Sequence, residues 1–308
     1  MTKNALPARI VDEAGLATLR PISQGAEKWL FRPITCLDHG FVYMCDYMGN
    51  DHSIVQAANV SFGRGTKKVS EDDTLIRYLR RNMHTSPSEM VVFKFHCKMP
   101  IFVARQWIRH RTASVNEYSA RYSEMSNEFY MPPTDELRRQ STMNKQGRGE
   151  LLTDDQREQV VEILGDTYRK AWDGYYSCLD MDLARELARI GLSVANYTEW
   201  YWKIDAHNLF HFFRLRLDPH AQREIRVYAE AMARMVKDAI PKAYRALEMY
   251  TLNAMTLSEM EIAFIRKHPG VLMTEEELFK AFLPFVDHNK REAREFVEKM
   301  KRLSLVKQ

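Results

Sequence analysis

The sequence predicts an α+β protein in which a central mixed or antiparallel sheet is flanked by long helices. Three separated segments, residues 41–48, 90–98 and 197–204, are rich in aromatic and β-branched residues or alternate apolar with polar residues, as strands do. Longer segments between and after them begin with helix-start signals, and a long helix is expected at residues 153–178. Strands separated by long helices are typical of an α+β fold.

The N-terminal part of the chain is expected to contribute the first strand and two helices. Residues 1–40 contain several prolines and scattered glycines, so we expect an extension with weak local structure there. Asp51 follows the first strand and its Gly-Asn stop, and it is placed to cap a helix at residues 52–61. Ser70, followed by acidic residues, predicts the N-cap of a second helix at residues 72–83.

The middle of the chain is expected to be mainly helical. An apolar, helix-like segment at residues 101–108 follows the second strand. Residues 134–152 are polar and have the composition of a surface loop. Thr153 and Gln156 have the spacing of a capping box, which predicts the start of the long helix. A shorter helix is expected at residues 183–190.

Two further helices are expected after the third strand. Asp205 is placed to cap a helix at residues 206–215. Asp218 and Pro219 predict the start of the last core helix, because a proline at the first helical position lacks only a donor that would be unpaired anyway. This helix is expected to continue beyond Pro241 and to bend there.

Composition places the chain among mildly basic globular proteins. Of its 308 residues, 45% are hydrophobic, and its net charge of +4 suits an anionic small molecule better than nucleic acid. We expect no membrane span, because no apolar run approaches the roughly eighteen residues that one needs. No signal-peptide core is visible, and we expect a cytoplasmic protein. The cysteines form no C-x-x-C pair and are expected to be reduced thiols, at Cys36, Cys45, Cys97 and Cys178.

Residues 109–121 are the most informative stretch, with the sequence R-H-R-T-A-S-V-N-E-Y-S-A-R. Guanidinium groups bind phosphate bidentately, and such charge-assisted hydrogen bonds are roughly twice as strong as neutral ones. The single acid, Glu117, indicates a group that is held for a specific hydrogen bond. A solvated basic loop is the alternative interpretation.

The run resembles the signature R-H-R-x-x-S-x-N-E-x-S-x-R of flavin-dependent thymidylate synthases, and every specified position matches. Two other segments are similar to elements of that family. Residues 214–222 read R-L-R-L-D-P-H-A-Q, and residues 84–89 read H-T-S-P-S-E where the family has H-E-T-P-x-E. In the second segment Thr85 replaces the usual Glu, and Ser86 replaces the usual Thr but keeps the hydroxyl.

The resemblance implies three regions in the chain. These are an N-terminal extension at residues 1–40, a flavin-dependent thymidylate synthase core domain at residues 41–255, and a C-terminal helical appendage at residues 256–308. Capping boxes at Ser258 and Thr274 predict short helices in the appendage.

The resemblance also implies an activity. Proteins of this family methylate dUMP to dTMP reductively, with 5,10-methylenetetrahydrofolate as the methylene donor, NADPH as the reductant and bound FAD as the cofactor. No covalent enzyme nucleophile takes part. The family further implies a homotetramer whose active sites gather residues from several subunits.

Residue roles follow from the same resemblance. Arg216 is expected to be the catalytic residue, since a guanidinium beside the uracil imide would stabilise its deprotonated form. A helix C-terminal arginine that bonds the last carbonyls is the alternative. The expected dUMP-binding residues are Gln106, Trp107, Ile108, Arg109, Glu117, Tyr118, Ser119, Ala120, Arg121, Arg189 and Arg216. The expected FAD-binding residues are Ser86, Arg109, His110, Arg111, Glu117, Asp205, Ala206, His207 and His211, the last at a position where many relatives have Asn.

Two rival functions remain open at this point. His207 and His211 lie four residues apart on an expected helix with His220 beyond them, a spacing that could bind zinc, although no H-E-x-x-H glutamate is present. Arginines beside aromatic residues such as Trp107 and Tyr118 could instead stack bases and bind phosphates in a nucleic-acid-binding module. We expect neither a metal nor nucleic acid.

Overall fold

The structure is a computed structural model that describes residues 9–11, 17–60, 69–142, 147–270 and 272–307. It divides into two compact units, Met1–Leu247 and Glu248–Gln308. The domain boundaries given above stay predictions.

The strands of the larger unit form one five-stranded sheet and two short hairpins. They are β1 (Arg9–Val11), β2 (Ala17–Leu19), β3 (Ile34–Cys36), β4 (Gly40–Met48), β5 (Val92–Pro100), β6 (Ser114–Glu117), β7 (Arg138–Gln140), β8 (Arg148–Leu151) and β9 (Tyr197–Asp205).

The helices of this unit vary from one turn to 27 residues in length. They are α1 (Gln24–Glu27), α2 (Asp51–Val60), α3 (Val69–Arg81), α4 (Ser86–Glu89), α5 (Ile101–Trp107), α6 (Asp154–Asp180), α7 (Arg185–Ala188), α8 (Ala206–Arg216), α9 (Arg223–Ala239) and α10 (Pro241–Leu247). Within the described ranges, no helix is long and apolar enough to cross a bilayer.

The central sheet has the strand order β3-β4-β5-β9-β6, and every neighbouring pair is antiparallel. Strands β5 and β9 pair along their whole length, from Val92 opposite Asp205 to Pro100 opposite Tyr197. Burial alternates along both strands, so one face of the sheet lies against the helices. This confirms the predicted α+β class.

The covered face of the sheet is built from large aromatic side chains. The Trp107 ring of α5 lies between Trp200 and Trp202 of β9, at centroid distances of 5.5 and 5.2 Å, and it stacks on Phe212 of α8 at 5.1 Å. All four side chains are almost completely buried. Rings of this size contribute much of the burial energy of a core. The cluster therefore fixes α5 and α8 against the sheet, with their ends close together.

The predicted start of the last core helix at Asp218 and Pro219 is wrong. Helix α9 begins at Arg223, because Asp218 is used in a local turn. Its carboxylate accepts the main-chain N–H of His220 at 2.8 Å, and its carbonyl accepts that of Ala221 at 2.9 Å. The bend near Pro241 is confirmed, since α9 ends at Ala239 and α10 begins at the proline.

Two helix caps also differ from the prediction. Asp51 caps α10 and not its own helix, since its two oxygens accept the main-chain N–H groups of Lys242 and Ala243, each at 2.9 Å. Asn50 takes the local role, and its side-chain oxygen accepts the N–H of Ser53 at 3.2 Å. Helix α3 begins one residue before Ser70, so that residue is not its N-cap.

Residues 134–152, predicted as a loop, contain the hairpin β7–β8. Arg148 on this hairpin donates to both carboxylate oxygens of Glu224 on α9, at 2.7 and 2.6 Å, and the hydroxyl of Tyr130 donates to the same carboxylate. Burial opposes ionisation of Glu224, but Arg148 and Tyr130 bring its pKa below the ordinary value. This ionic anchor explains why a polar segment is ordered against the core.

Part of the predicted N-terminal extension has regular structure. Ser23 caps α1 and donates its hydroxyl to the carbonyl of Ala239 at 2.7 Å, and β3 pairs with β4 at the edge of the central sheet. The expectation of weak local structure is therefore wrong for these residues. The sequence pattern does not indicate these two elements, because both are very short and are stabilised by residues far away in the chain.

The smaller unit has its own apolar core. Its helices are α11 (Glu259–Lys267), α12 (Glu275–Phe282) and α13 (Lys290–Arg302). The capping boxes predicted at Ser258 and Thr274 are both present. The core is made of buried side chains from all three helices, including Phe264, Leu278, Phe282, Phe296 and Met300.

Candidate functional site

The run at residues 109–121 connects the end of α5 to the edge of the central sheet. The N–H of His110 bonds back to the carbonyl of Trp107 at 2.9 Å and closes the end of α5. Strand β6 then pairs with β9, with Asn116 opposite Tyr201. Strand β6 could not be predicted, because it is short and all of its side chains are exposed. The run therefore presents most of its polar side chains at the surface, on a rigid edge.

His110 and Arg216 form the central contact of the site. The Nε of Arg216, on the last turn of α8, donates to Nε2 of His110 at 3.1 Å. Burial, together with smaller effects of the nearby Arg216 and His211, lowers the pKa of His110 to about 4. The ring is thus neutral near pH 7 and can accept this hydrogen bond. Because its Nε is occupied, Arg216 is left with its two terminal nitrogens for a ligand.

A cleft of about 980 Å³ adjoins this contact. Gln106 and Arg216 both line it, and the side-chain oxygen of Gln106 is buried without a hydrogen-bond partner in the described part of the chain. An unpaired buried acceptor is costly unless a ligand satisfies it. Gln106 is therefore well placed to receive a donor group from a bound molecule.

Glu117 is held by a neighbour that the sequence did not indicate. The hydroxyl of Thr198, on β9, donates to Glu117 at 2.7 Å and is itself buried. Strand alternation places Thr198 on the same face as Trp200, where a hydroxyl needs a partner. This alternation is the sequence pattern that could have identified Thr198 as a buried hydroxyl in need of a partner. The carboxylate of Glu117 is thereby fixed at the exposed edge.

Arg121 lies in a second group of residues beside α7. Its Nε donates to Glu186 at 3.0 Å, and both side chains are about half exposed. Ala120 is buried against Ala188 and Trp172, which fixes the main chain at this point. Arg189 follows α7 and is exposed. Arg121 and Arg189 are thus each exposed to solvent, with Glu186 as the present partner of Arg121.

Three of the expected flavin-binding residues, Asp205, Ala206 and His207, lie at the start of α8. Asp205 caps this helix, as predicted, by accepting the N–H of Asn208 at 2.9 Å. The N–H of Ala206 bonds to the carbonyl of Val91 at 2.8 Å, so two of the first main-chain donors are used within the protein. Fewer of them are left for a cofactor than the sequence suggested.

Side chains near α8 nevertheless fit a polar cofactor. The Nδ1 atom of His207 is buried and has no partner in the described residues. His211 is exposed, and its ring lies 5.9 Å from that of His110. Ser86 is exposed on α4, which packs against α8. The exposed guanidinium groups of the R-H-R segment lie in the same region as His110, so these residues are compatible with an anionic cofactor such as a flavin dinucleotide.

Several of the residues expected to contact dUMP are instead buried in the core or bonded to neighbouring residues. The side chain of Trp107 is completely buried in the aromatic core, so a nucleotide could meet only its main chain. Ile108 is 42% exposed, and Tyr118 is 43% exposed with its hydroxyl donating to the carbonyl of Glu124. Ser119 accepts the N–H of Arg121 at 3.3 Å, which supports a positioning role.

The histidines named for a metal site do not converge. His220 lies in the turn after α8, where its ring is 2.9 Å from the carboxylate of Asp218. Across the described ranges, no group of three or more His, Cys, Asp or Glu side chains is arranged to hold a metal ion. The i, i+4 spacing of His207 and His211 makes them neighbours on one side of a helix, where His211 is exposed and His207 is half-buried.

Comparison with known proteins gives the family. The family model described as "Thymidylate synthase complementing protein" matches residues 43–242. The flavin-dependent thymidylate synthase of Gluconobacter oxydans is 54% identical over 263 residues, covering 84% of this chain and 87% of that protein. The one from Dictyostelium discoideum is 47% identical, covering 91% of this chain and 89% of that protein. The solved UMP/dUMP methylase PolB from Streptomyces cacaoi, bound with 5-Br dUMP, matches with a TM-score of 0.65 and 33% identity, covering 71% of this chain and 99% of that one. By these matches, the chain belongs to the family of flavin-dependent thymidylate synthases.

Proposed function

We propose that this chain methylates dUMP to dTMP with bound FAD, taking the methylene group from 5,10-methylenetetrahydrofolate and reducing equivalents from NADPH. Family membership supports a methyltransferase that uses a flavin, and the PolB methylase, whose structure contains 5-Br dUMP, supports a uridine mononucleotide as the substrate. To this the proposal adds FAD as the flavin, NADPH as the reductant and the folate as the methylene donor.

The observation that carries the proposal is the Arg216–His110 contact at the cleft. The neutral imidazole holds Nε of Arg216 at 3.1 Å and directs the rest of the guanidinium away from the ring. A uracil placed against those terminal nitrogens would lose its imide proton more easily, because the cation stabilises the anion that forms. The resulting electron density makes the methyl-accepting carbon of the ring nucleophilic. Burial lowers the pKa of Arg216 from its ordinary value, but arginine stays cationic in proteins.

The nucleotide phosphate is assigned to Arg121 and Arg189, with Ser119 and the main chain of Ala120 beside them. Both arginines are exposed, and the turn that carries Arg121 is fixed by the buried Ala120. A phosphate dianion would compete with Glu186 for the guanidinium of Arg121. Its greater charge favours the phosphate in that exchange.

FAD is assigned to the residues around the start of α8 and the R-H-R segment. When bound, it supplies the hydride chemistry, and the protein supplies orientation and electrostatics. His207 has an unpaired buried nitrogen to offer, and Ser86 and His211 have exposed polar groups. Glu117 is held in place by Thr198 and can orient a donor on either the nucleotide or the cofactor.

Three of the four cysteines support a reaction without a covalent enzyme nucleophile. Burial raises the pKa of Cys36 to about 12 and also raises the pKa values of Cys45 and Cys97. A thiol attacks as its thiolate, so these three side chains are inert near pH 7.

We also propose that the protein acts as a cytoplasmic homotetramer whose sites are shared between subunits. One face of the central sheet carries a row of aromatic rings in which Tyr43 neighbours Phe31 and His96, and His96 neighbours Tyr201. Phe31 is 68% exposed and Tyr201 46% exposed. Exposed apolar patches of this kind are typical of protein interfaces. The partners are then small molecules and further copies of the chain, with no nucleic acid and no membrane.

The direct test is dTMP formation by the purified full-length protein. We expect product only when dUMP, 5,10-methylenetetrahydrofolate, NADPH and FAD are all supplied, with omission of any one stopping the reaction. A protein that forms no dTMP in the complete mixture while retaining FAD would contradict the proposed reaction. Product formed without the folate would contradict the assigned methylene donor.

A further inference from the structure

The cleft beside Arg216 carries much more positive charge than the proposed uracil contact requires. It lies between the end of α8, the start of α9 and the hairpin β7–β8. Two carboxylates, Glu136 and Asp218, line it. Its lining contains six guanidinium groups, those of Arg138, Arg148, Arg214, Arg216, Arg223 and Arg226.

Part of this charge is neutralised within the protein. Glu136 pairs with Arg148 at 3.0 Å and with Arg223 at 3.1 Å, and the buried Glu224 takes the second side of Arg148. Asp218 pairs with His220, and Arg226 of the cleft lies close enough to help lower the pKa of its carboxyl. These pairs account for the arginines that anchor the hairpin to α9.

Three guanidinium groups keep their charge unpaired. Within the part of the chain that the structure describes, Arg138, Arg214 and Arg216 have no carboxylate partner. Arg138 makes a long hydrogen bond of 3.5 Å to the carbonyl of Gly149. One terminal nitrogen of Arg223 is also buried without an acceptor among the described residues. A cleft with uncompensated cations and an unsatisfied donor attracts anions.

The lining arginines are spread over α8, α9 and the hairpin, which favours an elongated anionic ligand. Arg216 marks the end where the uracil would react, and Arg138 and Arg148 mark the hairpin side of the same cleft. The nucleotide phosphate is already assigned to Arg121, on the other group of elements. A second substrate would therefore enter with its reactive end at Arg216 and its negative groups between Arg214 and the hairpin. Guanidinium groups match carboxylates in geometry as well as in charge.

We propose that this cleft binds the glutamate carboxylates of the folate, with Arg138 and Arg214 as their contacts. The inference rests on the proposed function, because it takes the folate as the methylene donor. It makes the length of the glutamyl tail a determinant of affinity. The hairpin β7–β8 then serves to recognise the co-substrate as well as to cover the core.

The test compares two adjacent arginines of β7. Arg138 lines the cleft, whereas Arg139 donates to Gln156 at 3.0 Å and does not line it. The dissociation constants of tetrahydrofolate with one glutamate and with several would be measured by equilibrium dialysis on the FAD-loaded full-length protein. We expect Arg138→Gln to weaken the polyglutamate about tenfold, as loss of one charge-assisted contact does, and to weaken the monoglutamate less. Arg139→Gln should change neither constant, and neither variant should change the dissociation constant of dUMP.

A second variant and a second ligand pair separate the alternatives. Arg214→Gln should reproduce the tail-dependent loss. Equal affinity for the two folates in the wild-type protein, or an unchanged ratio in both Arg138→Gln and Arg214→Gln, would overturn the inference. A selective loss of dUMP affinity, or of NADPH but not NADH affinity, would overturn it as well, by assigning the cleft to a phosphate. These are binding measurements, so their outcome does not depend on whether the protein forms dTMP.

Discussion

At the scale of single residues, the state of one imidazole determines how Arg216 can act. His110 is 9% exposed, and its low pKa leaves Nε2 free to accept from the arginine. A protonated ring could not accept this bond and would repel the guanidinium. The resemblance pointed to both residues, but it gave them separate roles. Their contact could not be predicted, because 106 positions separate them in sequence.

Removal of the Arg216 guanidinium should affect turnover and not the cofactor. We expect Arg216→Ala to lower kcat about 100-fold or more, since a lost electrostatic contact to a developing charge has this magnitude. Bound flavin should be unchanged. Arg105→Ala, an exposed arginine of α5, serves as the charge control and should retain full activity. Normal dTMP formation by Arg216→Ala would remove the residue from its catalytic role.

Burial of His110 should make stability depend on pH. Its pKa falls from 6.5 in the unfolded chain to about 4 in the folded protein, so between these values the unfolded state binds the extra proton. The free energy of unfolding should therefore decrease as pH falls from 6.5 to 4, by up to ~3 kcal/mol from this group, and level off below.

Urea unfolding of the wild type and of His110→Gln across that pH range isolates this contribution. The variant should show a smaller loss of stability on acidification. His288→Asn, at an exposed histidine of the smaller unit, should behave like the wild type. Identical pH dependence in His110→Gln and the wild type would show that His110 titrates normally in the folded protein.

At the scale of elements, local signals were predictable and long-range ones were not. The capping boxes at Thr153, Ser258 and Thr274 formed as predicted because both partners lie within one helical turn. Asp51 is of a residue type that often caps the helix it precedes. Its partners, Lys242 and Ala243, are nevertheless nearly two hundred positions away. Asp51 caps α10 because α2 packs beside that helix.

The same limit applies to the candidate site. Residues of the R-H-R run could be identified because their spacing is a family signature. Glu186 and Thr198, which hold Arg121 and Glu117, carry no such signature and became visible only through their contacts. The cationic hairpin looked like a loop because Glu224, the residue that orders it, lies 76 positions from Arg148.

Loss of the Asp51 cap should destabilise the larger unit. Asp51→Ala leaves two main-chain N–H groups at the start of α10 without their acceptor, and we expect the free energy of unfolding to fall by ~1–2 kcal/mol. Asp73→Ala removes only a partly exposed i, i+4 ion pair with Arg77 and should cost less than about 0.5 kcal/mol. Chemical denaturation measures both. Equal effects of the two substitutions would contradict the long-range cap.

At the scale of the whole molecule, the fold brings together polar residues that are far apart in sequence. The antiparallel order β3-β4-β5-β9-β6 puts the R-H-R run beside β9, and the aromatic core fixes α5 and α8 with their ends together. Strand and helix periodicity predicted most of this architecture. Very short elements such as β3 and β6 were missed, because they lack the length that a periodic pattern needs.

We propose that this arrangement holds a flavin next to a uridine nucleotide. The most direct test is the visible absorption spectrum of the purified full-length protein, recorded after incubation with FAD and removal of the excess, and again during titration with dUMP. We predict a retained flavin spectrum that changes saturably as dUMP binds. A protein that stays colourless after incubation with FAD, or a bound flavin whose spectrum is indifferent to dUMP, would contradict the account.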